Sequence, residues 1–137
     1  MNQSISYRLE PDLDAASFVE VLIASGLATR RPVADSDRIE QMLRGASIIV
    51  TARSESKLVG VARALTDHAF CCYLSDLAVD ARWVGQGIGR ELIRRAHSEA
   101  GQPIVDLILL AAPEAETYYP HIGLTQFPHC FIIKRAN

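Results

Sequence analysis

The sequence has no apolar run near the ~20 residues that a membrane-spanning helix requires, so no membrane partner is expected. It also lacks an excess of charge of either sign. A formal net charge of −2 speaks against a nucleic-acid binder that works through a basic face. Cysteine is scarce, and Cys71, Cys72 and Cys130 show no metal-ligand spacing, so no metal is expected. Three cysteines and no apolar signal core in MNQSISYRLE fit reduced thiols and a cytoplasmic location. No repeat, low-complexity tract or linker interrupts the chain. What is present is 49% hydrophobic residues over 137 positions, enough for one packed core, and a single domain over 1–137 is expected.

The hydrophobic pattern changes period along the chain. Ser4 to Leu9 alternates and predicts a strand that Pro11 ends. Asp12 or Asp14 is placed to cap a helix running to about Gly26, with Phe18, Val19, Leu22 and Ile23 on one face. Asp37 and Glu40 have capping-box spacing before a short helix carrying Ile39, Met42 and Leu43, and Gly45 is placed to stop it. Three strands follow: Ser47 to Arg53, Leu58 to Leu65, and Phe70 to Val79. The turns between them are short, which predicts antiparallel neighbours.

The most informative stretch is Tyr73 to Gly101. A strand passes into Val84-Gly85-Gln86-Gly87-Ile88-Gly89 and leaves as a helix to Ala100, with Ile88, Leu92, Ala96 and Ala100 recurring every four residues. A glycine turn feeding a helix N-terminus presents outward N–H groups and a partial positive charge, which suits phosphate. A P-loop is excluded because Arg90-Glu91 stand where Lys and Ser or Thr are needed. A dinucleotide fingerprint fits poorly, with Arg90 at its third small position and a meander before the turn. Ile104 to Leu110 is a nearly continuous apolar run, predicting a buried strand parallel to the one ending at Val79. A short helix around Glu114 to Ile122 and a last strand, Phe131 to Ile133, complete the order.

This pattern resembles the GNAT superfamily of acetyl-CoA-dependent N-acetyltransferases. The family signature of Gln or Arg, two residues, Gly, any residue, then Gly or Ala matches at Gly87 and Gly89, while Val84 replaces the leading Gln or Arg. Leu58-Val59-Gly60 and Leu77-Ala78-Val79-Asp80 look like the family's third and fourth strands. Tyr118-Tyr119-Pro120-His121-Ile122-Gly123-Leu124 looks like its second signature, a Tyr followed four residues later by Gly and an apolar residue. Ala112 stands where an Asn is common.

The resemblance implies an α/β fold with a mixed, mainly antiparallel sheet whose two parallel central strands splay apart. It implies acetyl-CoA as co-substrate. The pantetheine arm would pair with Leu77, Ala78 and Val79, and the pyrophosphate would lie on the amides of Val84, Gly85, Gln86, Gly87, Ile88, Gly89 and Arg90. The Arg90 side chain either contacts a phosphate or is solvated. Tyr119 is the candidate acid for the leaving thiolate, against a packing role for its ring. Its neighbour Tyr118 is expected to turn into the core. Asp76, an acid in an apolar run, is a candidate base or ammonium holder, against a structural carboxylate bonded to backbone or Arg. Arg30 and Arg31 are expected in solvent. The acceptor would be a small-molecule or peptide amine, and a homodimer is compatible with the family. A non-catalytic acyl-CoA-binding module and a transferase of longer acyl groups are the rival readings.

Overall fold

The computed structural model describes residues 4–136. Strand β1 is Ile5–Leu9, followed by helices α1, Ala15–Ser25, and α2, Ser36–Arg44. The meander is β2, Ile48–Ser54, β3, Lys57–Thr66, and β4, Cys71–Val79. Helix α3, Ile88–Ala100, crosses over to β5, Asp106–Ile108, and α4 is a single turn, Tyr118–His121. The five strands pair in chain order, β1-β2-β3-β4-β5. All neighbours are antiparallel except β4 and β5, which run parallel as the helical crossover requires.

Helices cover both faces of the sheet. Strand alternation sends Ile48, Val50 and Ala52 toward α3, where Ile88, Leu92, Ile93, Ala96 and Ala100 are buried against them. Ile49 and Val61 point the other way, onto Phe18, Val21 and Leu22 of α1 and Ile39 and Leu43 of α2. The buried face of α1 is therefore rotated from the expected one. Val21 takes the place of Ile23, which is 62% exposed. Asp14 caps α1 by accepting from the Ser17 N–H at 2.9 Å. The cap of α2 is Asp35, which accepts from the Arg38 N–H, and not the Asp37–Glu40 pair.

Three expectations at the C-terminal end are corrected. The run from Ile104 to Leu110 yields only a three-residue strand, and Ile104, Ile108 and Leu110 are exposed. No strand pairs with the outer edge of β5 among the described residues, so its outward side chains stay in solvent. The helix expected over Glu114 to Ile122 breaks into a 3₁₀ turn, Pro113–Ala115, and α4. Pro120 offers no N–H to lengthen that helix. Phe131 to Ile133 forms no strand and lies in irregular, exposed chain.

Glu10 ties β1 to β2. It accepts from Arg53 Nε at 2.7 Å and Nη2 at 2.9 Å, and from Arg8 Nε at 2.9 Å; Thr51 donates to it as well. These donors, Arg53 foremost, lower its pKa to about 2 from the usual 4.5. A depressed carboxyl contributes stability fully above its unfolded pKa and loses it as pH falls through the folded one. Glu10→Gln should therefore lower the urea midpoint by a constant amount at neutral pH. The deficit should shrink between about pH 4.5 and about 2, which urea titrations across pH would measure.

Candidate functional site

Strands β4 and β5 pair only at Cys71–Asp106, Cys72–Leu107 and Tyr73–Ile108. Beyond Tyr73, β4 runs on to Val79 with that edge unpaired. The two strands part and leave a cavity of about 670 Å³. Its walls are Leu74, Ser75, Leu77, Ala78 and Val79 of β4 on one side and Leu109, Leu110 and Ala112 on the other. The glycine turn and the start of α3 close one end, and α4 lies across it.

The register of β4 against β3 shifts within this wall. Arg63 faces Asp76 and Ala64 faces Leu74, so Ser75 is an extra residue, a β-bulge. The extra residue flips the alternation. Cys72 and Leu74 belong to the α3-side core, yet after the bulge it is Leu77 and Val79 that pack there. Asp76 and Ala78 point to the α1 and α2 side.

Leu77, Ala78, Val79, Val84, Gly85, Gly87, Ile88, Gly89 and Arg90 all line the cavity, and Gln86 does not. Gly87 is the N-cap of α3 and no side chain caps it, so the first-turn amides keep their donors free of helical partners. Gly85 and Gly87 hold φ of +82° and +80°, and a Cβ on either would meet nothing within 4 Å. Their glycines answer to backbone conformation and to keeping the cavity surface bare. Gly89 has a different reason: a Cβ there would lie 2.6 Å from the Tyr118 hydroxyl.

Both tyrosines of α4 line the cavity. Their rings meet edge to face at 5.2 Å. Tyr118 therefore does not turn away into the core; its hydroxyl reaches the first turn of α3. Tyr119 packs its ring on the α3-side core. Burial raises the pKa of both phenols above 10.0, and the Arg90 charge partly offsets this for Tyr118. Trp83 packs on the same core and borders the cavity.

Asp76 is not placed as a base. It is 1% exposed, lies outside the cavity wall, and accepts from Arg31 Nε and Arg63 Nε on its two oxygens. The same guanidiniums hold the bulge. Arg31 Nη2 donates to the Ser75 carbonyl at 2.7 Å and Arg63 Nη2 to Ser75 Oγ at 2.9 Å. Arg31 is thus ion-paired and not simply solvated, and it borders the cavity. Sequence reasoning missed it because its partner lies 45 positions away. Glu114 and His121 also border the cavity. Among the described residues, no group of three His, Cys, Asp or Glu side chains gathers in metal-holding geometry, and no helix is long and apolar enough to cross a membrane.

A family model described as "Acetyltransferase (GNAT) domain" matches residues 19–128. The chain is 32% identical over 77 residues to "GCN5-related N-acetyltransferase 2, chloroplastic" of Arabidopsis thaliana, covering 56% of this chain and 30% of that protein. It is 27% identical over 133 residues to "Uncharacterized N-acetyltransferase ycf52" of Pyropia yezoensis, covering 93% of this chain and 69% of that one. The chain spans about a third of the length of the first curated relatives it matches, at 30% and 32%. Among solved structures, a probable acetyltransferase from Meticillin-Resistant Staphylococcus aureus superposes with a TM-score of 0.75 at 20% identity, covering 96% of this chain and 100% of that one. An aminoglycoside N-acetyltransferase in complex with CoA superposes at 0.72 with 12% identity, covering 100% and 98%. At these identities the likeness is one of fold.

Proposed function

Because the chain belongs to the GNAT acetyltransferase family, we propose that it transfers the acetyl group of acetyl-CoA to a primary amine. The observation that carries this reading is the splayed notch. It joins an unpaired strand edge at Leu77 to Val79 with an uncapped helix N-terminus at Gly87 in one cavity. A β4 edge without a partner offers N–H and C=O groups to the amides of a pantetheine arm, as it would to an added strand. The first-turn amides of α3 and the bare glycine turn suit a pyrophosphate. Arg90 borders the same cavity, and its guanidinium would add a charge-assisted contact to the pyrophosphate.

The reaction is direct acyl transfer in a ternary complex. The lone pair of a neutral amine attacks the thioester carbonyl carbon, and a backbone N–H of the bulged segment around Leu77 or Ala78 donates to the developing oxyanion. The C–S bond then breaks, the thiolate takes a proton from the Tyr119 hydroxyl, and the proton that the nitrogen sheds as the amide forms returns to the Tyr119 oxygen. An alkylammonium with a pKa near 10 must first lose a proton, as a lysine would. Water at the open mouth, beside Glu114 and His121, receives it. Asp76 serves as a positioning residue, holding Arg31 and Arg63 against the bulge. Its companion Ser75 is fixed by the same two arginines.

Calorimetric titration with acetyl-CoA, with NAD and ATP as controls, tests the reading. Selective micromolar binding of acetyl-CoA is expected, followed by free-thiol release when amines are supplied. Gly87→Val should weaken that binding by about tenfold or more, since a β-branched residue in the left-handed region is strained by about 1–2 kcal/mol and fills the bare surface. Binding without thiol release from any amine would favour the non-catalytic module. Absence of acetyl-CoA binding would remove the assignment of the notch.

A further inference from the structure

Two groups on the cavity can carry positive charge without a partner to absorb it. On α3, Glu91 accepts from the guanidiniums of both Arg94 and Arg95. Arg90, one turn earlier, borders the cavity and forms no ion pair or side-chain hydrogen bond among the described residues. The other group is His121 of α4. Its imidazole borders the same cavity and likewise has no hydrogen-bond partner among the described residues.

The turn of α4 decides which end of the cavity His121 serves. At 3.6 residues per turn, His121 lies about 60° from Tyr118 around the helix and about 160° from Tyr119. The Tyr118 hydroxyl reaches the first turn of α3 over Gly89, close enough for the Arg90 charge to act on it. His121 therefore shares the side of α4 that meets the glycine turn and the start of α3. Tyr119 takes the side that packs on the core. The other charged and titratable groups on the cavity leave that role open. Arg31 has its donors taken by Asp76 and by the Arg30 and Ser75 carbonyls, and both phenols stay protonated at neutral pH. Glu114, on the 3₁₀ turn before α4, makes no hydrogen bond with His121 among the described residues.

We propose that His121, beside Arg90, holds a phosphate of acetyl-CoA as an imidazolium, so that cofactor binding by this chain takes up a proton. The proposal rests on the notch being the acetyl-CoA site. A phosphate oxygen accepts from the imidazolium N–H in a charge-assisted bond stronger than any the neutral ring can offer. The bound anion in turn favours the protonated ring, so the complex holds more protons than its separated parts. Affinity then falls as pH rises through the range in which an imidazole exchanges its proton, about 5 to 8. The cofactor carries phosphate in two places, the pyrophosphate and the ribose phosphate, and dephospho-CoA lacks the second.

Calorimetric titration of the full chain with CoA, in buffers of different ionisation enthalpy, reads affinity and protons together. Wild type should take up protons on binding at neutral pH. His121→Gln should bind CoA about five- to tenfold more weakly, the loss expected for one exposed charge-assisted bond, and the proton uptake should vanish. His121→Lys, whose charge is fixed at neutral pH, should bind like wild type but without the uptake. His121 is exposed, so both variants should melt with the wild type. Repeating the series with dephospho-CoA locates the contact. Dependence on His121 that persists puts the ring on the pyrophosphate, and dependence that disappears puts it on the ribose phosphate. If His121→Gln binds CoA as wild type does, or wild type binds without proton uptake, the inference falls and the notch assignment stands. If CoA binds to none of the three proteins, both fall.

Discussion

Asp76→Ala should cost about 3–5 kcal/mol of stability, because it strips from two guanidiniums the only carboxylate that pairs with them among the described residues and leaves both charges uncompensated. Arg63 is 7% exposed at its side chain and Arg31 22%, so water can do little to replace the lost partner. Urea denaturation at neutral pH reads the loss. Asp76→Asn, which keeps the shape and one acceptor oxygen, should fall between wild type and Ala. The change reaches the site through Ser75, whose carbonyl and hydroxyl are held by the same arginines. Turnover should drop with KM for the amine rising, since a loosened bulge misplaces the oxyanion donors. The opposite pattern would restore Asp76 as a base: full stability, with kcat lost.

Tyr119→Phe should lower kcat by about a hundredfold, within the range for removal of a positioned general acid, while acetyl-CoA affinity stays level. The ring still packs on the α3-side core, so the fold should hold. Because burial raises this phenol above 10.0, it stays protonated at neutral pH, and the alkaline limb of kcat should lie above that value in the wild type. Tyr118→Phe is the necessary companion. Its hydroxyl sits over Gly89 at the start of α3, so its loss should act mainly on acetyl-CoA binding. If Tyr118→Phe proves the more damaging to kcat, the proton comes from that hydroxyl instead.

Much of the site could be read from local pattern. The glycines of the turn and the four-residue spacing of Ile88, Leu92, Ala96 and Ala100 each sit within a few positions, and the structure places them as their spacing predicts. What could not be read depends on contacts far apart in sequence. The clamp on Asp76 joins positions 31, 63 and 76, and nothing local marks Arg31 as different from Arg30. The bulge at Ser75 hides inside a run that is apolar on both parities, so no break in alternation announces it. A single-turn helix fixes too little geometry for sequence to decide which of Tyr118 and Tyr119 faces the notch, and both do. The failure of Phe131 to Ile133 to form a strand has the same origin. Strand preference describes a segment's fitness for a sheet, and the edge it fits must still be within reach.

The five strands divide the molecule into two compartments with few shared side chains. The face with α3 carries the glycine turn, and the opposite face carries α1 and α2. Substitutions in separate cores combine nearly additively. A lineage can therefore remodel α1, α2 and their connection, and with them the rim of the notch at Ser25, Gly26 and Leu27, while the α3 face drifts hardly at all. Arg31 on Asp76 and Arg63 on the Met42 carbonyl tie that cover to β4 and β3, and limit how far the one can change without the other.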